Sequence, residues 1–341
     1  MTGNIFLMKR VTIKDIARKL MLSTSTVSRA LVDDKNIRRE TKEKIIAAAE
    51  EMGYRPNPVA KNLKYGKTNT IGMIVPEMVT PFAASVAEGV KSVLYPLGIK
   101  VLLADSEENA GKELENLRMM EGFMVDGIII SICDYKKNIR EFDALAAKGM
   151  PMVFYDRIPH GLDVAQVIVD DYMKSYFLVE NLIRQGRRRI VHLQGPASIY
   201  NSMERRRGYL EAMHKFGLST DGLVMECGIT YSDGIKAAER ILSEVPDADC
   251  VFAFTDVVAI GAMNRLRELG RRIPADMAVA GFSGTVLSEM VYPPLSTVAP
   301  PLIQMGRQAV ELLMEQISDP EAPRRSVVLN ADIVMRGSTG V

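Results

Sequence analysis

Near the start of the chain, apolar residues fall at Ile13, Ile16, Ala17 and Leu20, the i, i+3, i+4, i+7 spacing of one face of a short helix. Thr12 is placed to cap it, Met21-Leu22 make a tight turn, and Ser23 suits the N-cap of a second helix reaching about Val32. In that second helix Val27, Ala30 and Leu31 point back toward the first, while Thr24, Ser25, Ser28 and Arg29 face outward. A third helix is expected with Thr41 as cap, an apolar face of Ile45, Ile46, Ala48, Ala49 and Met52, and Gly53 as its end. The pattern then changes between Tyr54 and Lys67. Asn57 can cap and Pro58 fits a first helical position, so two helical turns are expected before Gly66. Two turns are not stable alone in water, which predicts a linker that orders only against a partner. Lys61, Lys64 and Lys67 suggest that phosphate is part of that partner.

From Thr70 onward short apolar runs alternate with amphipathic stretches. Strands are expected at 71–75, 100–104, 127–132, 152–155, 167–169, 189–193, 224–227, 250–254 and 277–280. Helices are expected at 82–95, 111–121, 173–184, 202–216, 234–243 and 258–269. Such alternation implies parallel sheets with helices on both faces, and so many strands imply two lobes rather than one sheet. Ligands in these folds bind beyond the C-terminal ends of the strands, which in a two-lobed body face each other across a cleft. The residues just past the strands are therefore candidates: Phe82, Asp105, Ser131, Asp156-Arg157, Asp170-Asp171, the segment 195–205, Thr255-Asp256 and Phe282-Ser283-Gly284. Carboxylates, an arginine, hydroxyls and aromatic plates suit a polyol or a sugar. Several residues at or near the strand ends also read another way. Asp156-Arg157 can be a local ion pair, Asp256 can cap the following helix, and Phe252 sits within an apolar strand where core packing is the plainer role.

Charge changes this picture only when the chain is cut. The net charge of the 341 residues is +1, but residues 1–70 hold 15 Lys/Arg against 7 Asp/Glu. A basic head on an acidic body is expected where only the head meets phosphate. Cys133, Cys227 and Cys250 form no Cys-x-x-Cys pair, which suits free thiols in a reducing cytoplasm. His160, His192 and His214 lack metal-ligand spacing, so no metal is expected. There is no Gly-x-Gly-x-x-Gly after the first strand, no Walker loop and no Ser-His-Asp arrangement; neither a cofactor nor catalysis is expected. No stretch is long and apolar enough for a membrane span. Because Met8 directly precedes the first motif, residues 1–7 are left out of the fold argument.

The runs VTIKDIARKLMLSTSTVSRAL and YRPNPVAKNLKYGKTNTIGMIVP closely resemble the lactose-repressor (LacI/GalR) family of bacterial transcription regulators. The body resembles that family in MVFYDRI, SMERRRGYLEAM, VFAFTDVVAIGAM, IPADMAVAGFSG and PPLSTVAPP. The resemblance implies a small all-α helix-turn-helix head (8–56), a hinge helix and linker (57–69), and an α/β two-lobed effector domain like periplasmic binding proteins. Its N-lobe is expected at 70–185 and 300–325 and its C-lobe at 186–299 and 326–341. It implies that Thr24, Ser25 and Arg29 read bases and that Thr12, Ser23, Thr26 and Ser28 meet phosphates. Asn57 joins them at the hinge, and Leu63 falls where the family wedges a leucine into the minor groove. Arg205 matches the effector-clamping arginine, and Phe82, Arg157, Asp170, Asn201, Phe252 and Asp256 match other cleft positions. Three departures stand out: Met21 and Val32 where many members carry a small residue and Asn, and Ser283 where many place an Asp on the ligand. The expected partners are double-stranded operator DNA, a small molecule, expected to be a carbohydrate, and a second copy of the chain. A regulator governed by a partner protein, and a sugar-binding protein without a DNA role, remain the alternatives.

Overall fold

The computed structural model describes residues 11–54 and 67–340, which divide into two compact units at Thr68/Asn69. Among the described residues no helix is long and apolar enough to cross a membrane.

The first unit holds three helices: α1 (Ile13–Leu20), α2 (Thr24–Ala30) and α3 (Arg39–Glu51). Their core is Ile16, Ala17, Val27, Ala30, Ile45, Ala48 and Ala49, the faces that periodicity picked out. Thr12 caps α1 by reciprocity with Asp15: its backbone N–H donates to Asp15 Oδ2 at 2.9 Å and its hydroxyl to the same oxygen at 2.7 Å. Ser23 Oγ accepts the Thr26 N–H at 3.1 Å at the start of α2. Thr41 is not the cap of α3, which begins two residues earlier at Arg39 with Arg38 as N-cap. Met21 ends α1 in the left-handed region (φ 53°) with its side chain in solvent. Its size therefore displaces nothing from the core, and its cost is the backbone conformation itself.

The second unit has two six-stranded sheets. Its elements in chain order are β1 (Thr70–Val75), α4 (Pro81–Leu94), β2 (Lys100–Asp105), α5 (Ala110–Gly122), β3 (Gly127–Ile130), α6 (Ile139–Ala147), β4 (Met152–Tyr155), β5 (Ala165–Val169) and α7 (Asp171–Arg184). Then come β6 (Ile190–Gln194), α8 (Tyr200–Lys215), β7 (Val224–Glu226), α9 (Tyr231–Glu244), β8 (Cys250–Ala253), α10 (Asp256–Glu268), β9 (Ala278–Phe282) and α11 (Leu287–Met290). The chain closes with β10 (Ser296–Ala299), α12 (Leu302–Ser318), β11 (Ser326–Leu329) and β12 (Asp332–Val334). The first sheet runs β11-β5-β4-β3-β1-β2, all parallel. The second runs β12-β10-β9-β8-β6-β7 and is parallel except for the β10–β12 pair. Central strands such as Met152–Tyr155 and Cys250–Ala253 are buried throughout, as expected where helices cover both faces.

Two expected lobe boundaries move. The segment from 326 is expected in the C-lobe, but β11 adds to the edge of the first sheet, pairing Ser326–Leu329 with Gln166–Val169. Only Leu329 of this edge strand is buried, so its apolar signal is weak. The helix at 171–184 is expected in the N-lobe, yet α7 packs on α8 and against β10 and β12. The chain therefore changes lobe directly after β5, after β10 and after β11.

The apolar stripes on α4 and along α12 meet each other within the first lobe. Glycines make that approach possible. A Cβ on Gly89 would lie 2.1 Å from Ile303 O, and one on Gly306 would lie 2.1 Å from Val86 O. Gly306→Ala is thus expected to push α12 off α4 and to cost about 1–3 kcal/mol, read as a lower urea midpoint with unchanged slope.

A basic helix-turn-helix face and a two-lobed cleft

On the head, Thr24, Ser25 and Arg29 are exposed along one side of α2, and Thr26 and Ser28 are half-buried beside them. Ser23 Oγ lies 2.8 Å from both Ser25 Oγ and Thr26 Oγ1, so the helix N-terminus presents a linked row of hydroxyls. Among the described residues Arg29 makes no ion pair, whereas Arg18 and Lys19 pair with Asp15 and Glu51. An unengaged guanidinium next to small hydroxyls is the chemistry that fits a major groove, where Arg bonds guanine O6 and N7. Asn57 and Leu63 lie outside the described residues.

In the body, a cavity of about 700 Å³ lies beyond the C-terminal ends of strands from both sheets. The first lobe contributes Phe82 at the start of α4, Asp105 at the end of β2, Glu107 and Glu108 after it, Ser131 after β3, and Tyr155 to Arg157 at the end of β4. The second lobe contributes Asn201 and Arg205 from α8, Thr230 to Ser232 at the start of α9, Phe254 to Asp256 after β8, and Ser283 and Thr285 after β9.

Arg205 is the most constrained of these. It is 5% exposed, and its Nε donates to Asp171 Oδ1 and its Nη1 to Phe254 O, each at 2.7 Å. Its guanidinium lies 3.6 Å from the Phe282 ring centroid and 4.8 Å from that of Phe254, so two aromatic faces fix its plane. The neighbouring Arg206 and Arg207 do not share this environment; Arg207 is a surface residue paired with Glu204. Asp156 does not pair with Arg157. It accepts the Asn201 amide at 3.0 Å, and Arg157 instead forms a two-point ion pair with Glu108. Nor is Asp256 a cap. The Thr255 hydroxyl caps α10, and Asp256 accepts Thr297 Oγ1 at 2.6 Å and Thr285 N at 3.3 Å.

Two cleft positions implied by the resemblance are not in this cavity. Phe252 is wholly buried in β8, its ring stacked 4.8 Å from that of His192, and it lines no part of the cleft. Phe254, two residues later and therefore on the same side of the strand direction, emerges past the strand end and does line it. Asp170 caps α7 through Met173 N at 2.9 Å and borders a smaller cavity of about 230 Å³ at the lobe crossover. Its neighbour Asp171 is the residue that holds Arg205. Glu108, Tyr155 and Thr285 were not singled out. Glu108 follows Asp105-Ser106-Glu107 directly, so the acidic run at the end of a strand was the available signal.

Three hydroxyls around the cavity, Ser131 Oγ, Tyr155 Oη and Thr285 Oγ1, are buried without a hydrogen-bond partner among the described residues. Buried hydroxyls are normally satisfied, so these are poised for a bound molecule. Burial also perturbs the carboxyls. It lifts Asp171 to about 7 against the opposing charge of Arg205, and Asp256 to about 6 against its Thr297 hydrogen bond. Burial raises Asp156 as well, with Arg205 and Arg157 opposing. A carboxyl raised in this way stabilises the fold fully below its ordinary value of 3.8, and the contribution is lost as pH climbs through 6 and 7. The ligand-free body is therefore expected to melt at a higher temperature near pH ~5 than near pH ~8. Asp171→Asn should flatten that slope in calorimetry.

Comparison with known proteins agrees with this architecture. Residues 12–57 match the bacterial regulatory proteins of the lacI family, and residues 179–339 match the periplasmic binding protein-like domain. The chain is 32% identical over 328 residues to the HTH-type transcriptional repressor PurR of Vibrio atlanticus (strain LGP32), covering 96% of this chain and 98% of that one. It is 32% identical over 333 residues to catabolite control protein A of Priestia megaterium, covering 96% and 99%. The structure of the transcriptional regulator CelR in complex with cellobiose superposes with a TM-score of 0.73 at 29% identity, over 96% of this chain and all of that one. With a helix-turn-helix head, a periplasmic-binding-protein-like body and near full-length similarity to transcriptional repressors, this chain belongs to the lacI family of DNA-binding transcription regulators.

Proposed function

We propose that the protein is a homodimeric regulator whose hold on a near-palindromic operator is set by a small molecule, a sugar or sugar derivative, bound between the two lobes. The observation that carries this reading is the cleft itself: a cavity of about 700 Å³ lined by an arginine locked between two aromatic rings and by three hydroxyls unsatisfied among the described residues. That volume is within the usual range of small-molecule sites, roughly 300–1,000 Å³. The similarity to CelR, whose structure holds cellobiose, supports a carbohydrate.

On the DNA side, Arg29 bonds a guanine while Thr24 and Ser25 approach the neighbouring bases, and Thr12, Ser23, Thr26 and Ser28 contact phosphates. Two heads in a dimer place their α2 helices in successive major-groove faces of the two half-sites. Leu63, in the hinge at 57–69, wedges between base pairs in the central minor groove, with Asn57 at the start of that segment. Ligand in the cleft changes how the lobes sit on each other, and this decides whether the hinge segments can fold on DNA.

The test is a thermal-shift screen of the full-length protein against sugars, sugar acids and nucleobases, followed by operator titration with and without each hit. A ligand that binds the folded state raises the melting temperature by mass action. A hit that stabilises the protein and shifts operator affinity supports the reading. A screen in which every stabilising compound leaves operator affinity untouched speaks against it.

A further inference from the structure

We propose that Glu108 determines the specificity of the cleft. By occupying Arg157 from within the protein it makes the cleft reject anions, so the effector is an uncharged or amine-bearing polyhydroxyl compound and not a sugar phosphate or sugar acid. This rests on the reading of the cleft as the effector site.

Arg157 is the natural anion receptor on the first lobe, since it lines the cavity at the end of β4 and is only 13% exposed at its side chain. Its fork, however, is already filled. Arg157 Nη1 donates to Glu108 Oε2 at 2.7 Å and Nη2 to Oε1 at 2.9 Å, the parallel two-point geometry that a ligand carboxylate or phosphate would otherwise adopt. The backbone is bent to put Glu108 there. Glu107 and Glu108 are consecutive residues in the left-handed region (φ 48° and 53°), a conformation disfavoured for residues with a Cβ. It is held by Glu107 N donating to Asp105 Oδ1 at 2.8 Å and Glu108 N to Pro76 O at 2.6 Å.

The other guanidinium, Arg205, is likewise engaged, by Asp171. The cavity wall carries six carboxylates against these two cations. An entering anion thus meets like charge in a partly desolvated space with neither cation free, whereas hydroxyl or ammonium donors meet acceptors at Asp105 and Asp156. The hydroxyls of Ser131, Tyr155 and Thr285, without partners among the described residues, complete a surface suited to neutral polar groups.

The experiment titrates full-length wild-type protein, by thermal shift and calorimetry, with sugars matched in skeleton and differing in charge. Glucose, glucosamine, glucuronate and glucose 6-phosphate form one such set. Pentose and disaccharide skeletons are treated alike, and inorganic phosphate is the bare anion. The wild type is expected to respond to neutral or amino members and to no anion. E108Q releases the Arg157 fork and is expected to bind the phosphorylated member of the same skeleton, and inorganic phosphate, about 10- to 100-fold more tightly than wild type. E108Q/R157Q should lose that gain.

An anionic member that stabilises wild type as well as its neutral counterpart overturns the role of Glu108 while leaving the cleft as effector site. So does an E108Q protein that still binds the neutral sugar but gains nothing for anions. Silence toward every compound in the panel sinks the effector reading, and this inference with it. The wild-type panel alone decides the charge rule if E108Q fails to fold.

Discussion

Arg205→Ala is expected to abolish the response to effector and to lower the stability of the body by about 3–5 kcal/mol, the usual cost of removing one partner from a buried ion pair. The side chains of Arg205 and Asp171 are 6% and 9% exposed, so deleting the guanidinium leaves the buried Asp171 carboxyl, already raised by burial, without its cation and the Phe254 carbonyl without its donor. The two consequences are separable. Arg205→Met combined with Asp171→Leu removes the stranded charge and should recover much of the stability. It should not recover ligand binding, because the Arg205 guanidinium is then gone and the other one in the cavity, Arg157, is held by Glu108. Urea unfolding followed at the body, beside calorimetric titration of the ligand found in the screen, reads both. Recovery of ligand affinity in the double variant would mean that Arg205 serves packing alone.

The second large effect belongs to the head. Arg29→Ala is expected to weaken operator binding by about 1–3 kcal/mol and to relax base preference at a single position of each half-site. Arg29 is exposed and free of ion pairs among the described residues, so its removal leaves the core of Ile16, Val27 and Ile45 intact. The stability of the head should therefore not change. Competition against random duplex at fixed salt is the measurement, since phosphate contacts scale both affinities together and base contacts do not. Uniform weakening on specific and random DNA would assign Arg29 to the backbone instead.

Much of this was legible in the chain because periodicity reports burial. Ile16, Ala17, Val27 and Ala30 had to form one core, and the outward set on α2 followed by elimination. The central strands were equally plain, since β3 and β8 are unbroken apolar runs. The last three strands were not. β10, β11 and β12 are short and carry Ser, Thr or Asp, and their partners come from far along the chain. Ser296 is buried by bonds to Ser338 and Thr339, contacts that no local pattern displays.

The cleft was partly legible for the same reason. Strand ends located it, but a strand end is uncertain by a residue or two, and that margin exchanges neighbours. The resemblance picks Phe252 and Asp170, each one or two residues short of the neighbour that lies beside Arg205. In both, the residue nearer the C-terminal side reaches Arg205, while the other is held by the core or by a helix cap. The Glu108–Arg157 pair joins residues 49 positions apart through a loop with two left-handed residues, a conformation that nothing in Glu-Glu itself announces.

The claim on which the rest depends is that the cleft and the operator share one coupling free energy. It is tested most directly by measuring that coupling in both directions: operator affinity with and without saturating effector, and effector affinity with and without saturating operator duplex. Linkage requires the same factor from both, and a factor of about 5- to 150-fold is expected. An effector that binds in the cleft with an affinity indifferent to operator would contradict it.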